Sequence, residues 1–149
     1  MNNKKGIEAL VATVLLILIT IAAVGIIWGA IMPIIRQNIE SSQNCLNAGI
    51  EVNMASGYTY AAGNNVSIQV SRSSSTINVT KIQLKVVDSN GNSGLVDETS
   101  IPAPNTDKTY MIDSSLMGLT GAPKSVGVVA IIAIGNTAYT CPAKEAQLK

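Results

Sequence analysis

Residues 9–35 read ALVATVLLILITIAAVGIIWGAIMPII, 27 positions without a charge. As a helix the run measures about 40 Å at 1.5 Å per residue. A bilayer needs only about 20 such residues, so the stretch can cross with length to spare. It is too long for one strand and apolar on every side, which selects a helix with no solvent-facing stripe. Lys4 and Lys5 precede it, and Arg36 follows it alone. That asymmetry places the N-terminus in the cytoplasm and Gln37 onward outside.

The run carries its own internal features. Gly25 and Gly29 form a small-xxx-small pair that lets backbones approach closely, although glycine is also common in membrane helices. Ala22, Ala23 and Ala30 add small surface nearby. Thr13 and Thr20 can return their hydroxyls to carbonyls of the preceding turn. Trp28 suits either a membrane interface or close packing between helices. Pro33 removes one helical hydrogen bond and is expected to kink the exit. Beyond it the pattern turns amphipathic, with Ile34, Ile35 and Ile39 among Arg36, Gln37, Asn38 and Glu40. This predicts a helix that continues to about Asn44 with one face covered by the following domain.

Outside this run the composition is different. Of 149 residues, charged ones make up 13% and hydrophobic ones 47%, and the apolar excess is concentrated in the first 35 positions. The remainder is rich in Ser, Asn, Thr and Gly. Ten Lys+Arg against nine Asp+Glu give a formal charge of +1. No basic patch suggests nucleic acid as a partner. There is no His, so the commonest general base and the commonest metal ligand are both missing.

From about Cys45 the grammar changes to period two. Val66-Ser67-Ile68-Gln69-Val70 alternates as a half-buried strand should. Ser73-Ser74-Ser75 turns the chain. Ile77 and Val79 then share one parity, while Ile82, Leu84 and Val86 take the other, which predicts a β-bulge near Thr80-Lys81. Asp88-Ser89-Asn90-Gly91-Asn92 is a turn signal. Lys108 to Ile112 is a short strand. Val126 to Ile134 is a continuous apolar run, expected as a central strand buried on both faces. Gly135-Asn136 leads into Thr137 to Cys141, and Pro142 ends it. Ile50 to Met54 and Tyr58 to Ala62 are weaker strands. About seven short strands in roughly 100 residues predict an antiparallel sandwich of Ig-like size. The fold class is therefore α+β: a long apolar N-terminal helix, then an antiparallel β-sandwich. Lys144 to Lys149 is expected as a mobile polar tail.

Chemistry is scarce in this sequence. Without His, no nucleophile–base pair suggests itself, and the Ser and Thr residues follow strand and turn positions. Asp88, Asn90 and Asn92 faintly resemble a calcium loop. In the EF-hand pattern, however, glycine follows the third ligand and a glutamate comes later, so the turn reading is preferred. Asp97, Glu98 and Asp107 read as solvated loop acids. No phosphate loop, paired-cysteine motif or dinucleotide fingerprint is present. No catalytic residue, cofactor or metal is assigned, and an enzyme is not expected.

Three readings fit the N-terminus. A removable secretory signal would have an apolar region of about 7–15 residues, far shorter than this one. A permanent single-pass anchor fits the length. A third reading rests on particular residues: Lys4-Lys5-Gly6 directly before Ile7-Glu8-Ala9-Leu10-Val11-Ala12-Thr13-Val14-Leu15-Leu16-Ile17. This start closely resembles that of archaeal type IV pilins, in which a short basic leader ending in Gly precedes a Val/Ile/Leu/Ala/Thr-rich helix. The resemblance covers roughly the first 35 residues. It implies cleavage after Gly6 by a prepilin peptidase, with Ile7 as the first mature residue. The domains are then residues 1–6 as leader, 7–44 as a transmembrane and filament-core helix, and 45–149 as an extracellular domain. It also implies a homopolymeric helical filament at the cell surface, built with an assembly ATPase and a membrane platform protein. Bacterial type IV pilins carry a glutamate further into the mature chain, where this sequence has Val11. Glu8 instead sits second, at the favourable end of the helix dipole, where it could pair with a neighbouring subunit's new amine.

Under that reading two further expectations follow. Export favours a disulfide between Cys45 and Cys141, which would stabilise the fold by roughly 4 kcal/mol through loop closure. Asn65-Val66-Ser67 and Asn78-Val79-Thr80 are N-glycosylation acceptor patterns. Asn65, at a turn, is preferred over Asn78, which lies in a strand reading. Adhesion or surface contact is the expected role. The alternatives are an uncleaved single-pass Ig-like binding module, a minor pseudo-pilin, and a motility filament of the archaellum type.

Overall fold

The computed structural model describes the backbone of residues 4–148, and side chains from Leu10 onward. The chain divides into two units, one reaching Glu40 and one beginning at Ser41. Met1, Asn2 and Asn3 of the expected leader lie outside the described residues. So do the side chains of Lys4, Lys5, Ile7 and Glu8.

Helix α1 spans Lys4–Ile26, a π-helical turn covers Ile27–Ile31, and helix α2 spans Met32–Asn47. The turn has a local cause. A proline ring at position 33 meets the carbonyl four residues back, that of Gly29, and donates no hydrogen bond to it. The backbone answers by widening one turn, so that the Met32 N–H bonds the Ile27 carbonyl five residues back. Pro33 then sits in the first turn of α2, where the missing donor costs little. The sequence predicted disturbance at Pro33, and the structure places it one turn upstream. Helix α2 also runs three residues past the expected Asn44.

Among its described residues the second unit has nine strands: β1 Ile50–Val52, β2 Tyr60–Ala62, β3 Asn65–Arg72, β4 Val79–Asp88, β5 Ser93–Glu98, β6 Thr106–Asp113, β7 Pro123–Ile134, β8 Thr137–Thr140 and β9 Lys144–Gln147. All pairings are antiparallel. In one sheet β3 is central, with β6 on one side and β1 and β2 end to end on the other. In the other sheet β7 is central, with β4 and then β5 on one side and β8 and β9 end to end on the other. The class is α+β, a long apolar helix followed by antiparallel sheets. The five-stranded sheet curls as a half-barrel.

One apolar cluster joins the sheets. Val66, Ile68 and Val70 from β3 meet Ile82, Leu84 and Val86 from β4 and Val126, Val128 and Ile132 from β7. The core is mainly aliphatic, with Tyr110 its one buried aromatic among the described residues. The parity switch in β4 has the anticipated form: Val79 pairs with Ile132 and Lys81 with Ile131, leaving Thr80 as the extra residue. The Thr80 hydroxyl donates to the Ile131 carbonyl at 3.1 Å.

Three expectations need correction. Strand β3 is covered on both faces, with Ser67 and Gln69 buried as well as Val66, Ile68 and Val70. The Ser67 hydroxyl donates to the Tyr58 carbonyl at 2.7 Å, and the Gln69 N–H donates to Thr59 Oγ1 at 3.0 Å. The tail from Lys144 is strand β9, laddered to Ser125–Val128. The Leu148 N–H continues to the Lys124 carbonyl at 2.9 Å. Strand β5, absent from the sequence reading, forms the hairpin partner of β4.

Candidate functional site

The apolar helix is the feature of this chain with the most unused surface. Every described residue from Leu10 to Ile31 is exposed. These include Leu16, Ile19, Ile21 and Trp28, each more than 60% exposed. Among the described residues one helix, Leu10–Asn47, is long and apolar enough to cross a membrane, and none of its most apolar stretch is buried. The Thr13 and Thr20 hydroxyls donate to the carbonyls of Leu10 and Ile17, both at 2.8 Å. They are thereby satisfied within the helix and need no water there. Gly25 and Gly29 have open space where a Cβ would stand, so their backbone is accessible to a close neighbour. Gly29 and Trp28 fall inside the π turn, and Pro33 just after it. Pro33 itself is the one sequence signal for that turn.

The cleavage residues Lys4, Lys5, Gly6 and Ile7 fall in the backbone of α1. Glu8 follows on the same helix.

In the second unit Cys45, on α2, is bonded to Cys141, just after β8, across 96 residues, with Cα atoms 5.4 Å apart. The bond joins the end of α2 to the five-stranded sheet's edge, where the Cys141 N–H donates to the Ala130 carbonyl at 2.8 Å. Beside it lies an apolar cavity of about 250 Å³, lined in part by Leu46, Ile50, Val128 and Ala130.

The two acceptor asparagines exchange settings relative to expectation. Asn65 is the first residue of β3 and pairs with Ala62 and Asp113. Asn78 lies one residue before β4, and its carbonyl accepts from the Ala133 N–H at 2.9 Å. Both are exposed.

Asp88 is 1% exposed and organises the β4–β5 turn. Its Oδ1 accepts from the N–H groups of Asn90 at 2.9 Å and Asn92 at 2.8 Å. Its Oδ2 accepts from Asn92 Nδ2 at 3.2 Å and the Gly121 N–H at 3.1 Å. Burial pushes its carboxyl up, but these bonds outweigh burial and hold it below the usual aspartate value. Asn90 and Asn92 thus face Asp88 with donors, an arrangement suited to a turn rather than a cation. Among the described residues no three metal-binding side chains come together. Tyr110 is the other shifted group near the core. Burial, aided by the Glu98 charge, pushes its phenol up to about 12, and its hydroxyl donates to the Ser100 carbonyl.

No protein-family model, curated protein or solved structure compared with this chain matches it.

Proposed function

We propose that this chain is the subunit of an archaeal type IV pilus-like surface filament, polymerising through its apolar helix and displaying its β-rich unit for adhesion or surface contact. The observation that carries the reading is the helix surface: from Leu10 to Ile31 the described residues carry no charge, are apolar apart from Thr13 and Thr20, and are exposed. A helix with no polar side resides in lipid or against copies of itself. One segment can do both in turn, first as anchor and then as filament core. Contacts between copies that do not close on a ring generate an open filament.

The remaining pieces fit the same reading. The β-rich unit, with two sheets sharing one aliphatic core, is read as an Ig-like sandwich whose larger sheet is curled. A bonded cysteine pair suits a domain outside the cell. Glu8, set beside a new amine at Ile7, would fix the axial register between subunits. The partners are then a prepilin peptidase, an assembly ATPase and a membrane platform protein, with no cofactor. The same helix length serves an uncleaved anchor carrying a binding module, and cleavage separates the two. Gly6→Leu, which puts a bulky side chain at the scissile position, is expected to leave the leader attached and abolish fibres while membrane insertion persists. Fibres of normal abundance built from uncleaved Gly6→Leu chains would overturn the reading.

A further inference from the structure

At one end of the β-rich unit, the chain between β3 and β4 and the residues before β6 enclose an open cleft of about 530 Å³. Its walls include Ser74, Thr76, Asn78 and Asn105, and Arg72 is the one charged residue lining it. The guanidinium spans the walls: Nη1 donates to the Pro102 carbonyl at 3.2 Å and Nη2 to the Ile77 carbonyl at 2.8 Å. Its Nε–H is shielded from solvent without a partner. Among the described residues no carboxylate pairs with Arg72. Asp107, next to Arg72's ladder partner Thr106, accepts from Asn53 Nδ2 at 3.1 Å instead.

The arrangement leaves a half-covered cation facing only neutral dipoles. Two carbonyls satisfy hydrogen bonds but do not cancel the charge, and a partly desolvated charge without a counterion is costly. Nη1 and Nη2 each carry a second N–H beyond the one given to the wall, and these can donate charge-assisted hydrogen bonds to a carboxylate. The walls are fixed in advance. The Ser73 N–H donates to the Gly49 carbonyl at 3.0 Å, and the Ile77 N–H to Ser75 Oγ at 3.1 Å. Asn105 holds a left-handed backbone at φ 58°, a conformation asparagine tolerates. A prepared cleft reduces the ordering cost of binding.

We propose that this cleft is a binding site for a carboxylate-bearing saccharide, such as a hexuronate. The carboxylate faces Arg72, and the sugar hydroxyls meet the Ser, Thr and Asn side chains of the walls. The site stands whether the unit is carried on a filament or on a single anchor. It goes beyond the filament reading because it names what the displayed surface touches.

The test uses the full chain in detergent micelles, titrated with trigalacturonate, neutral trigalactose and inorganic phosphate, and read by calorimetry. Charge-assisted hydrogen bonds to Arg72 predict that trigalacturonate binds about tenfold or more tighter than trigalactose. Phosphate is expected not to displace it at equal concentration. Thr76 is exposed, so Thr76→Glu places a carboxylate in the cleft without disturbing the core, and it is expected to abolish trigalacturonate binding. Equal binding of the charged and neutral sugars, or no binding of either, would overturn the proposal. So would displacement by phosphate at equal concentration, which marks a general anion site, or unchanged affinity in Thr76→Glu, which places the sugar elsewhere.

Discussion

Asp88 is covered and yet held ionised, because two backbone N–H groups from its own turn, an amide from Asn92 and the Gly121 N–H converge on it. A carboxyl whose folded pKa lies below its unfolded value contributes stability that is fully present above the unfolded value, near pH 4. That contribution is lost as pH falls through the folded value. Asp97 and Asp113 are shifted in the same direction. Asp97 is lowered by hydrogen bonds from Lys81 and Gln83, and Asp113 by those from Ser115. The urea midpoint is therefore expected to drop on acidification below about pH 4. Asp88→Asn is expected to show a lower midpoint at neutral pH and a shallower acid slope. An unchanged slope in Asp88→Asn would assign the acid sensitivity to the other carboxylates. Sequence reading identified the turn from Asp88-Ser89-Asn90-Gly91-Asn92. It could not identify Gly121 as a fourth donor, since that contact crosses 33 residues.

At the scale of elements, what the sequence showed depended on how each strand is covered. The runs Val66 to Val70 and Val126 to Ile134 were legible because their apolar content is high, and the bulge at Thr80 because a parity switch has few other causes. Strand β5 was not legible. Its covered positions include Gly94, whose side the chain fills from elsewhere: a Cβ there would lie 2.5 Å from Met117 Cβ. Strand β9 was missed because Lys144, Glu145 and Gln147 dominate the tail. Its signal is the two-residue spacing of Ala146 and Leu148, both partly covered, with Leu148 packed on the core. Lys85 Nζ lies 2.6 Å from Glu145 Oε1, a half-exposed pair that adds little. The backbone ladder is the larger part. Ending the chain after Pro142 is expected to remove about 2–4 kcal/mol, from a few net hydrogen bonds at 0.5–1.5 kcal/mol each. An unaltered urea midpoint in the truncated chain would contradict a structural role for β9.

For the whole molecule, the sequence split the chain by composition, and the structure divides it at Glu40 and Ser41. The last turns of α2 belong with the β-rich unit, a boundary invisible in hydropathy because Ser41 to Asn47 is polar apart from Cys45 and Leu46. The disulfide closes 96 residues of that unit. Replacing Cys45 and Cys141 together by Ala is expected to lower stability by roughly 4 kcal/mol in the loop-entropy account, read by urea denaturation with and without reductant. A reductant-insensitive midpoint in the unsubstituted protein would contradict that role. The central claim concerns the apolar helix and its processing, and it is tested most directly by N-terminal sequencing and intact mass of the protein sheared from the cell surface. The account predicts pelletable fibres whose chains begin at Ile7. Chains that retain Lys4-Lys5-Gly6 and stay with the membrane would contradict it, leaving a single-pass anchored surface domain.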